Sequence, residues 1–218
     1  MNILIVAATQ FEVQPLLNFL EIKCVSNGMQ YSKKAFNNKQ MQVLITGAGM
    51  VNTALMMGRF NNNLHDLTLN VGVAGAFDKT IQLGELVEVT TDCLSELGAE
   101  DNDYFLTYDK LDLGGSHIFN ANSNSTLINT SNLKHVKGIT VNTVHGNEVS
   151  IEKIKQLYNP DIESMEGAAF FAGCNSSNQY TQIRAISNYV EKRNKSKWNM
   201  PLAIKNLNEY LVEFVAQM

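Results

Sequence analysis

Residues 67–75 read Leu-Thr-Leu-Asn-Val-Gly-Val-Ala-Gly, in which an apolar strand, 67–73, runs directly into an Ala-Gly turn. A related pattern occurs upstream, where an apolar strand at 40–46 is followed by Gly47-Ala48-Gly49 and then by a helical pattern over 51–60. Strands that alternate with helices in this way predict a mostly parallel central sheet with helices on both faces.

The same alternation extends along the chain. Further strands are predicted at 2–7, 83–91, 138–143 and 180–187, and further helices at 11–20, 149–157, 166–174 and 201–218. Residues 94–134 are less regular and rich in Asn, Ser and Gly. We interpret them as irregular excursions or oligomer contacts, with 122–132 as a mobile loop. The predicted fold class is therefore α/β, doubly wound, as one domain over 1–218 with a mixed, mostly parallel sheet flanked by helices.

Composition excludes several functional classes. With a net charge of −4 and 17% charged residues, the chain is a poor candidate for binding nucleic acid or an anionic membrane. The apolar run at 1–8 is too short for a membrane span and lacks the layout of a signal peptide, so we interpret it as a buried first strand. Cys24, Cys93 and Cys174 show no metal or disulfide spacing, which favours a cytoplasmic location.

The carboxyl ends of the predicted strands are the expected ligand site, because ligands of open parallel sheets bind beyond that edge. Five polar or glycine-rich loops are expected to converge there. These are Thr9–Glu12, Gly47–Met50, Val73–Ala76, Thr143–Gly146 and Ser187–Glu191. Neither glycine turn is a dinucleotide fingerprint or a P-loop, because the later glycine and the Lys-Ser/Thr pair are missing.

Each polar candidate in these loops also has an ordinary structural explanation. Glu12 and Glu166 are predicted to lie in first helical turns, where a carboxylate complements the helix dipole. Asn188 is also typical of a simple turn. Glu163 is either a partner of Glu166 or the end of a strand, and His145 is better explained as a satisfied polar loop residue than as a catalytic base.

A set of motifs favours functional roles for these residues over the structural explanations. They are the opening Ile3–Ala8 with Glu12, Thr46–Asn52, Asn70–Gly75, Glu163–Ala169 and Arg184–Asn188. Over nearly its full length the chain resembles the nucleoside phosphorylase/hydrolase superfamily. It is most similar to the bacterial methylthioadenosine/S-adenosylhomocysteine nucleosidases and to the futalosine hydrolases of an alternative menaquinone pathway.

The resemblance implies roles for individual residues. Glu12 would deprotonate a water, Glu166 would accept from the ribose hydroxyls, and Met165 would pack on the sugar. Two segments would frame the base, with Val73, Ala74 and Gly75 in the first and Val144 and His145, within Asn142–Gly146, in the second. The resemblance implies no cofactor and no metal, a nucleoside as the small-molecule partner, and a homo-oligomer, dimeric or larger.

Two departures from the adenosine-type enzymes favour futalosine. Asn188 stands where those enzymes carry an Asp, and an amide can donate to O6 and N7 of a 6-oxopurine whereas an ionised Asp only accepts. The second departure is the stretch that follows. The carboxylate on the 5′ substituent of futalosine would be met there by Lys192, Arg193, Lys195 or Lys197, and Trp198 would stack on the ring of the same substituent. The alternative is a solvated basic loop with Trp198 packed beneath it.

Water is the expected nucleophile, since a phosphate pocket usually needs arginines and hydroxyls. The chain has three arginines: Arg59 in a helix, Arg184 in a strand and Arg193 in the polar loop. Val73 occupies the turn where phosphorylases of the superfamily place a hydroxyl. A methylthioadenosine/S-adenosylhomocysteine or inosine-type nucleosidase remains the alternative enzyme, and a non-catalytic nucleoside-binding protein is the alternative outside the enzymes.

Overall fold

A computed structural model describes residues 1–23, 30–36, 39–60, 65–123 and 127–217. Within these ranges the strands are β1 (Asn2–Ala7), β2 (Gln30–Phe36), β3 (Lys39–Ile45), β4 (Leu67–Ala76), β5 (Leu86–Leu94), β6 (Gly98–Asp101), β7 (Tyr104–Thr107), β8 (Ile118–Asn120), β9 (Lys134–Thr140), β10 (Ile162–Ser164) and β11 (Gln179–Tyr189). The α-helices are α1 (Gln10–Phe19), α2 (Met50–Phe60), α3 (Glu148–Tyr158), α4 (Gly167–Ala172) and α5 (Met200–Ala216). Single 3-10 turns form at Tyr108–Lys110 and Lys195–Lys197.

The central sheet is mixed, in the order β10-β9-β5-β11-β4-β1-β3-β2. Strand β1 lies parallel to both β3 and β4, and β4 lies parallel to β11. The predicted α/β class with a mixed sheet flanked by helices is confirmed, and the sheet in addition closes on itself at one side. Strand β10 pairs with β9 and also with the end of β4, where Ile162 faces Ala76 and Glu163 faces Gly75. Five strands, β4, β11, β5, β9 and β10, therefore close into a ring.

Helices cover both faces of the sheet, as predicted. Alternate residues of β1 point to opposite sides, as the strand period of two requires. Ile3 and Ile5 pack in one core cluster with residues of α1 and α5. Leu4 and Val6 pack in another with residues of α2 and α4. Among the described residues, no helix combines the length and apolar character needed to span a membrane.

Several predicted boundaries shift because turns and distant pairings override local pattern. The strand predicted at 83–91 begins three residues later, since Gly84 has a positive φ of 85° and its N–H bonds to the carbonyl of Ile186. The strand predicted at 138–143 begins earlier, at Lys134, through pairing with β5. The helix predicted at 166–174 is shorter, because Glu166 is its N-cap and not its first helical residue.

The sequence between 94 and 134 is more regular than expected. It contains the β6–β7 hairpin and strand β8, which pairs with β5. Of the loop predicted to be mobile, 124–126 lies outside the described residues, as does Cys24. The flanks are packed: Asn122 forms a β-bridge with Tyr180, and Ile128 is 2% exposed. Strand β2 was also not predicted, and it pairs with the edge of β3.

Candidate active site

A cavity of about 480 Å³ opens at the carboxyl edge of the parallel strands. All five predicted loops contribute residues to its wall. All eleven residues singled out from the sequence line it: Glu12, Val73, Ala74, Gly75, Val144, His145, Met165, Glu166, Asn188, Arg193 and Trp198. The structure thus brings together residues that lie up to 186 positions apart in the chain, counted from Glu12 to Trp198.

Glu12 is held by three donors. The backbone N–H and the hydroxyl of Thr9 each donate to its Oε2 at 2.9 Å, and the N–H of Val73 donates to its Oε1 at 3.1 Å. Thr9 is the N-cap of α1, so the carboxylate does complete a helix cap, as the structural explanation supposed. It also faces the cavity while only 7% exposed. Burial raises the pKa of Glu12, against the lowering effect of the Val73 hydrogen bond.

Glu166 lines the cavity next to the Gly47–Gly49 turn. Gly47 and Gly49 have φ of 83° and 95°, a region that favours glycine. This turn lets the N–H of Gly49 donate to Glu166 Oε1 at 3.1 Å. The next residue, Gly167, packs so tightly that an added Cβ would lie 1.9 Å from Asp92 Oδ2. Local backbone packing therefore fixes where the Glu166 carboxylate sits.

Arg184 is a residue that the sequence interpretation left inside its strand without a role at the site. Its side chain is 1% exposed, and its guanidinium donates to Asn70 and, at 3.3 Å, to Gln182 Oε1. Its other terminal nitrogen lies 3.8 Å from Glu166 Oε2. The signal was present in the sequence, because an arginine between Ile183 and Ala185 in a buried strand requires a carboxylate partner.

The amide of Asn188 has a defined orientation. The carbonyl of Tyr189 lies 3.1 Å from Nδ2, and a carbonyl can only accept, so the amino group must face it. The hydroxyl of Ser187 lies 2.8 Å from Oδ1 and donates to it. Among the residues that the structure describes, no acceptor engages the second N–H of Asn188. An ionised Asp at this position would offer no donor.

His145 and Glu163 form a pair. The Nδ1 atom of His145 lies 2.6 Å from Glu163 Oε2, and the N–H of His145 donates to Oε1 at 3.0 Å. His145 is therefore a loop residue whose backbone N–H and Nδ1 both have a polar partner. Glu163 lies in the middle of the short strand β10 and not at its end, and its partner is His145 and not Glu166. Both residues of this pair line the cavity.

The basic loop after Asn188 forms one end of the cavity. The Arg193 guanidinium lies over the Trp198 ring, 5.0 Å from its centroid. Lys197 pairs with Glu191 at 2.8 Å, whereas Lys192 and Arg193 have no carboxylate within ion-pair distance in the part of the chain described above. Lys195, the fourth basic candidate, does not line the cavity. Of the four basic residues expected to meet a substrate carboxylate, Lys192 and Arg193 are therefore the two that line the cavity without pairing to Glu191.

Carboxylate and amide side chains line the cavity. Within the described ranges, no group of three or more His, Cys, Asp or Glu side chains is arranged to hold a metal ion. Arg59 lies in the last turn of α2, and neither it nor Arg184 belongs to the cavity wall. Of the three arginines, Arg193 alone lines the cavity.

Comparison with known proteins places this architecture in a family. The model of the phosphorylase superfamily matches residues 2–216. The chain belongs to this superfamily. Among its curated relatives, a futalosine hydrolase of Thermus thermophilus is 28% identical over 181 residues, which is 80% of each chain. The resemblance inferred from the motifs is thus confirmed.

Solved structures of the superfamily share the whole fold. A methylthioadenosine/S-adenosylhomocysteine nucleosidase of Neisseria meningitidis, in complex with methylthio-immucillin-A, matches with a TM-score of 0.82 and 18% identity. It covers 100% of this chain and 99% of its own. The futalosine hydrolase of Helicobacter pylori matches with a TM-score of 0.84 and 16% identity, over 100% and 98% of the two chains. At these identities the superfamily structures establish the fold and not the substrate.

Proposed function

We propose that this protein hydrolyses the N-glycosidic bond of futalosine, releasing hypoxanthine and dehypoxanthine futalosine for menaquinone biosynthesis. The observation that carries the proposal is the amide of Asn188, which presents a donor at the cavity where an Asp would present only acceptors. The similarity to the Thermus thermophilus enzyme supports it. The deciding experiment incubates the pure protein, without phosphate, with futalosine, inosine and methylthioadenosine, and identifies the released base.

Glycosidic cleavage develops positive charge on the sugar and negative charge on the departing base. Glu12 takes a proton from water, the oxygen of that water bonds to the anomeric carbon, and the bond to the purine nitrogen breaks. The raised pKa of Glu12 makes it a stronger base than an exposed glutamate. Its three donors hold the carboxylate in one position, so little reorganisation is needed.

Glu166 accepts hydrogen bonds from the ribose hydroxyls, and Met165 packs on the sugar. The carboxylate is positioned for this work because the N–H of Gly49 donates to Oε1 and Arg184 lies 3.8 Å from Oε2. Arg184 compensates the negative charge of Glu166 in a buried setting, where an unpaired carboxylate is costly. Its guanidinium contacts Asn70 and lies near Glu166, and it is not part of the cavity wall, so we assign it no contact with phosphate.

Asn188 stabilises the departing base. One of its N–H groups is engaged by the Tyr189 carbonyl, and the other is shared between N7 and O6 of the 6-oxopurine. Val73–Gly75 and the loop with Val144 and His145 frame the base. At the other end, Arg193 and Lys192 meet the carboxylate of the 5′ substituent, and Trp198 stacks on its ring.

Replacing Asn188 by Asp is expected to move the preference from 6-oxopurine toward 6-aminopurine nucleosides. The ionised carboxylate opposes O6, and a mismatched buried pair costs about 1–3 kcal/mol, so the preference ratio shifts about 5- to 150-fold. The comparison uses futalosine and its 6-amino analogue, so that the 5′ group is constant. Asn147→Asp is the matched control, since that side chain only accepts at a helix N-cap. An unchanged kcat/KM ratio would show that Asn188 does not read the base.

Phosphate is not expected to take part in the reaction. Val73 offers no hydroxyl, and Arg193, the arginine of the cavity wall, belongs to the end assigned to the 5′ substituent. The rate of base release should be the same with and without phosphate, and the sugar product should be free. Mass spectrometric detection of a sugar 1-phosphate would overturn hydrolysis in favour of phosphorolysis.

Two features concern the oligomeric state and the location that we propose for the protein. Tyr104 and Leu113 lie in the segment interpreted as oligomer contacts and are 76% and 68% exposed, which supports a homo-oligomer, dimeric or larger. Light scattering during size-exclusion chromatography measures the size of the oligomer.

Cys93 and Cys174 are free thiols, in keeping with a reducing cytoplasm. A non-catalytic nucleoside-binding protein is the remaining alternative, and release of free base by pure protein excludes it.

A further inference from the structure

The His145–Glu163 pair lies in the cavity wall, and the proposed reaction gives His145 no role beyond framing the base. Glu163 is 4% exposed, and both of its oxygens are occupied by His145. Such a pair restrains the imidazole in one orientation, because the carboxylate holds the backbone and the ring of the same residue. The other ring nitrogen, Nε2, has no protein hydrogen-bond partner within the described part of the chain.

The position of the proton on His145 follows from its partner. An ionised carboxylate only accepts, so the nitrogen that faces Glu163 at 2.6 Å must carry the hydrogen. In neutral imidazole the second nitrogen is then an acceptor. Glu163 therefore selects the tautomer in which Nε2 of His145 offers a lone pair to a ligand.

Glu163, which holds the ring of His145, and Asn188 flank the same residue of the sheet. Gly75 of β4 is the register partner of Glu163 on one side and of Asn188 on the other. A Cβ placed on Gly75 would lie 3.1 Å from Asn188 Nδ2 and 3.6 Å from Glu163 Cγ. Closure of the strand ring thus places two side chains beside Gly75 in the cavity wall. These are Asn188, which donates, and Glu163, which holds the acceptor His145.

We propose that His145 reads the N1–H group of a 6-oxopurine through Nε2, and that Glu163 is the positioning residue that sets its tautomer. A 6-oxopurine carries a donor at N1 and an acceptor at O6, which complements His145 and Asn188 in turn. A 6-aminopurine carries an acceptor at N1, which the lone pair of Nε2 repels. This inference rests on the proposed function and adds a second determinant of the same substrate class.

Glu163→Gln tests the tautomer directly. The backbone N–H of His145 still requires an acceptor, so the amide oxygen faces it and the amide NH₂ donates to Nδ1. The proton must then move to Nε2, which becomes a donor. The ratio of kcat/KM for futalosine over its 6-amino analogue is expected to fall about 5- to 150-fold, the range for one mismatched buried polar pair. His135→Gln, an exposed histidine paired with Glu88, is the control and should leave the ratio unchanged.

A second measurement does not depend on how the variant folds. Nitrogen-15 NMR of the wild-type protein, with the His145 signals assigned by their loss in His145→Gln, reports which ring nitrogen is protonated. We expect a proton on Nδ1, and an Nε2 resonance that shifts when hypoxanthine is added and responds less to adenine. A proton on Nε2, or an Nε2 resonance that ignores hypoxanthine, would overturn the proposal.

The experiments distinguish failure of the proposed hydrolysis from failure of the inference about His145. If futalosine hydrolysis is wrong, the pure protein releases no base from futalosine, while the NMR titration with free purines still tests His145. If the inference about His145 alone is wrong, the wild type releases hypoxanthine, but Glu163→Gln keeps the wild-type ratio.

Discussion

Glu12→Gln is expected to bind substrate normally and to lose turnover by roughly 10²–10⁴-fold, the usual cost of removing a general base. The amide has nearly the same shape, so the wall of the cavity is kept, although its NH₂ group must replace one acceptor oxygen, either toward Thr9 or toward the N–H of Val73. It cannot take a proton from water. Steady-state kinetics should therefore show a large fall in kcat with a small change in KM.

The control for this substitution is Glu148→Gln. Glu148 is an exposed glutamate in the first turn of α3, so the change removes a dipole interaction of the same kind without touching the cavity. If Glu12 only capped its helix, the two variants would lose similar stability and both would remain active. Near-normal turnover of Glu12→Gln would remove this residue from the mechanism.

The pH profile gives the same assignment a second readout. A base acts when deprotonated, and burial raises the pKa of Glu12 above its usual 4.5. The kcat/KM of the wild type should therefore fall on the acidic side at a pH above 4.5, as Glu12 takes up a proton. Buried Asp92, whose pKa is raised by desolvation to about 6, does not line the cavity. An acidic limb that persists in the residual activity of Glu12→Gln would belong to such a group and not to Glu12.

Glu166→Ala is expected to lower kcat/KM by about 10- to 150-fold, since a hydrogen bond to a charged group contributes about 1.5–3 kcal/mol. A substrate without the 2′-hydroxyl should then lose little further rate in this variant. Strong discrimination against the deoxy substrate in Glu166→Ala would show that the ribose contact is assigned to the wrong residue. A double-mutant cycle between residue 166 and the 2′-hydroxyl isolates the pair.

The same substitution has a structural cost that must be separated from catalysis. Removing Glu166 takes away one of the carboxylates that compensate the buried charge of Arg184, and breaking a buried ion pair costs about 3–5 kcal/mol. Glu166→Gln keeps the volume and an acceptor oxygen for the N–H of Gly49 while removing the charge. Thermal unfolding of both variants measures the stability loss, and the deoxy comparison in the glutamine variant tests the ribose contact in a protein nearer to wild type.

Short-range pattern was enough to predict much of the site. Apolar strands and amphipathic helices are local features, and the carboxyl ends of parallel strands lie at one edge whatever the details of packing. For that reason Glu12, Glu166 and Asn188 could be expected near one another from motifs alone. The resemblance to a family added their roles, which no periodicity contains.

Only the tertiary structure decided the partners of these side chains. Glu12 meets Val73, 61 positions away, and Glu166 meets Gly49, 117 positions away. Strand β10 is three residues long and would not be recognised by its pattern, yet its pairing with β4 closes the ring. That closure sets Glu163 beside Gly75 and so explains why His145 faces the cavity with a defined tautomer. Hydrogen-bond partners at such separations depend on sheet register and ring closure, which are properties of the assembled chain and leave no mark on any local stretch of sequence.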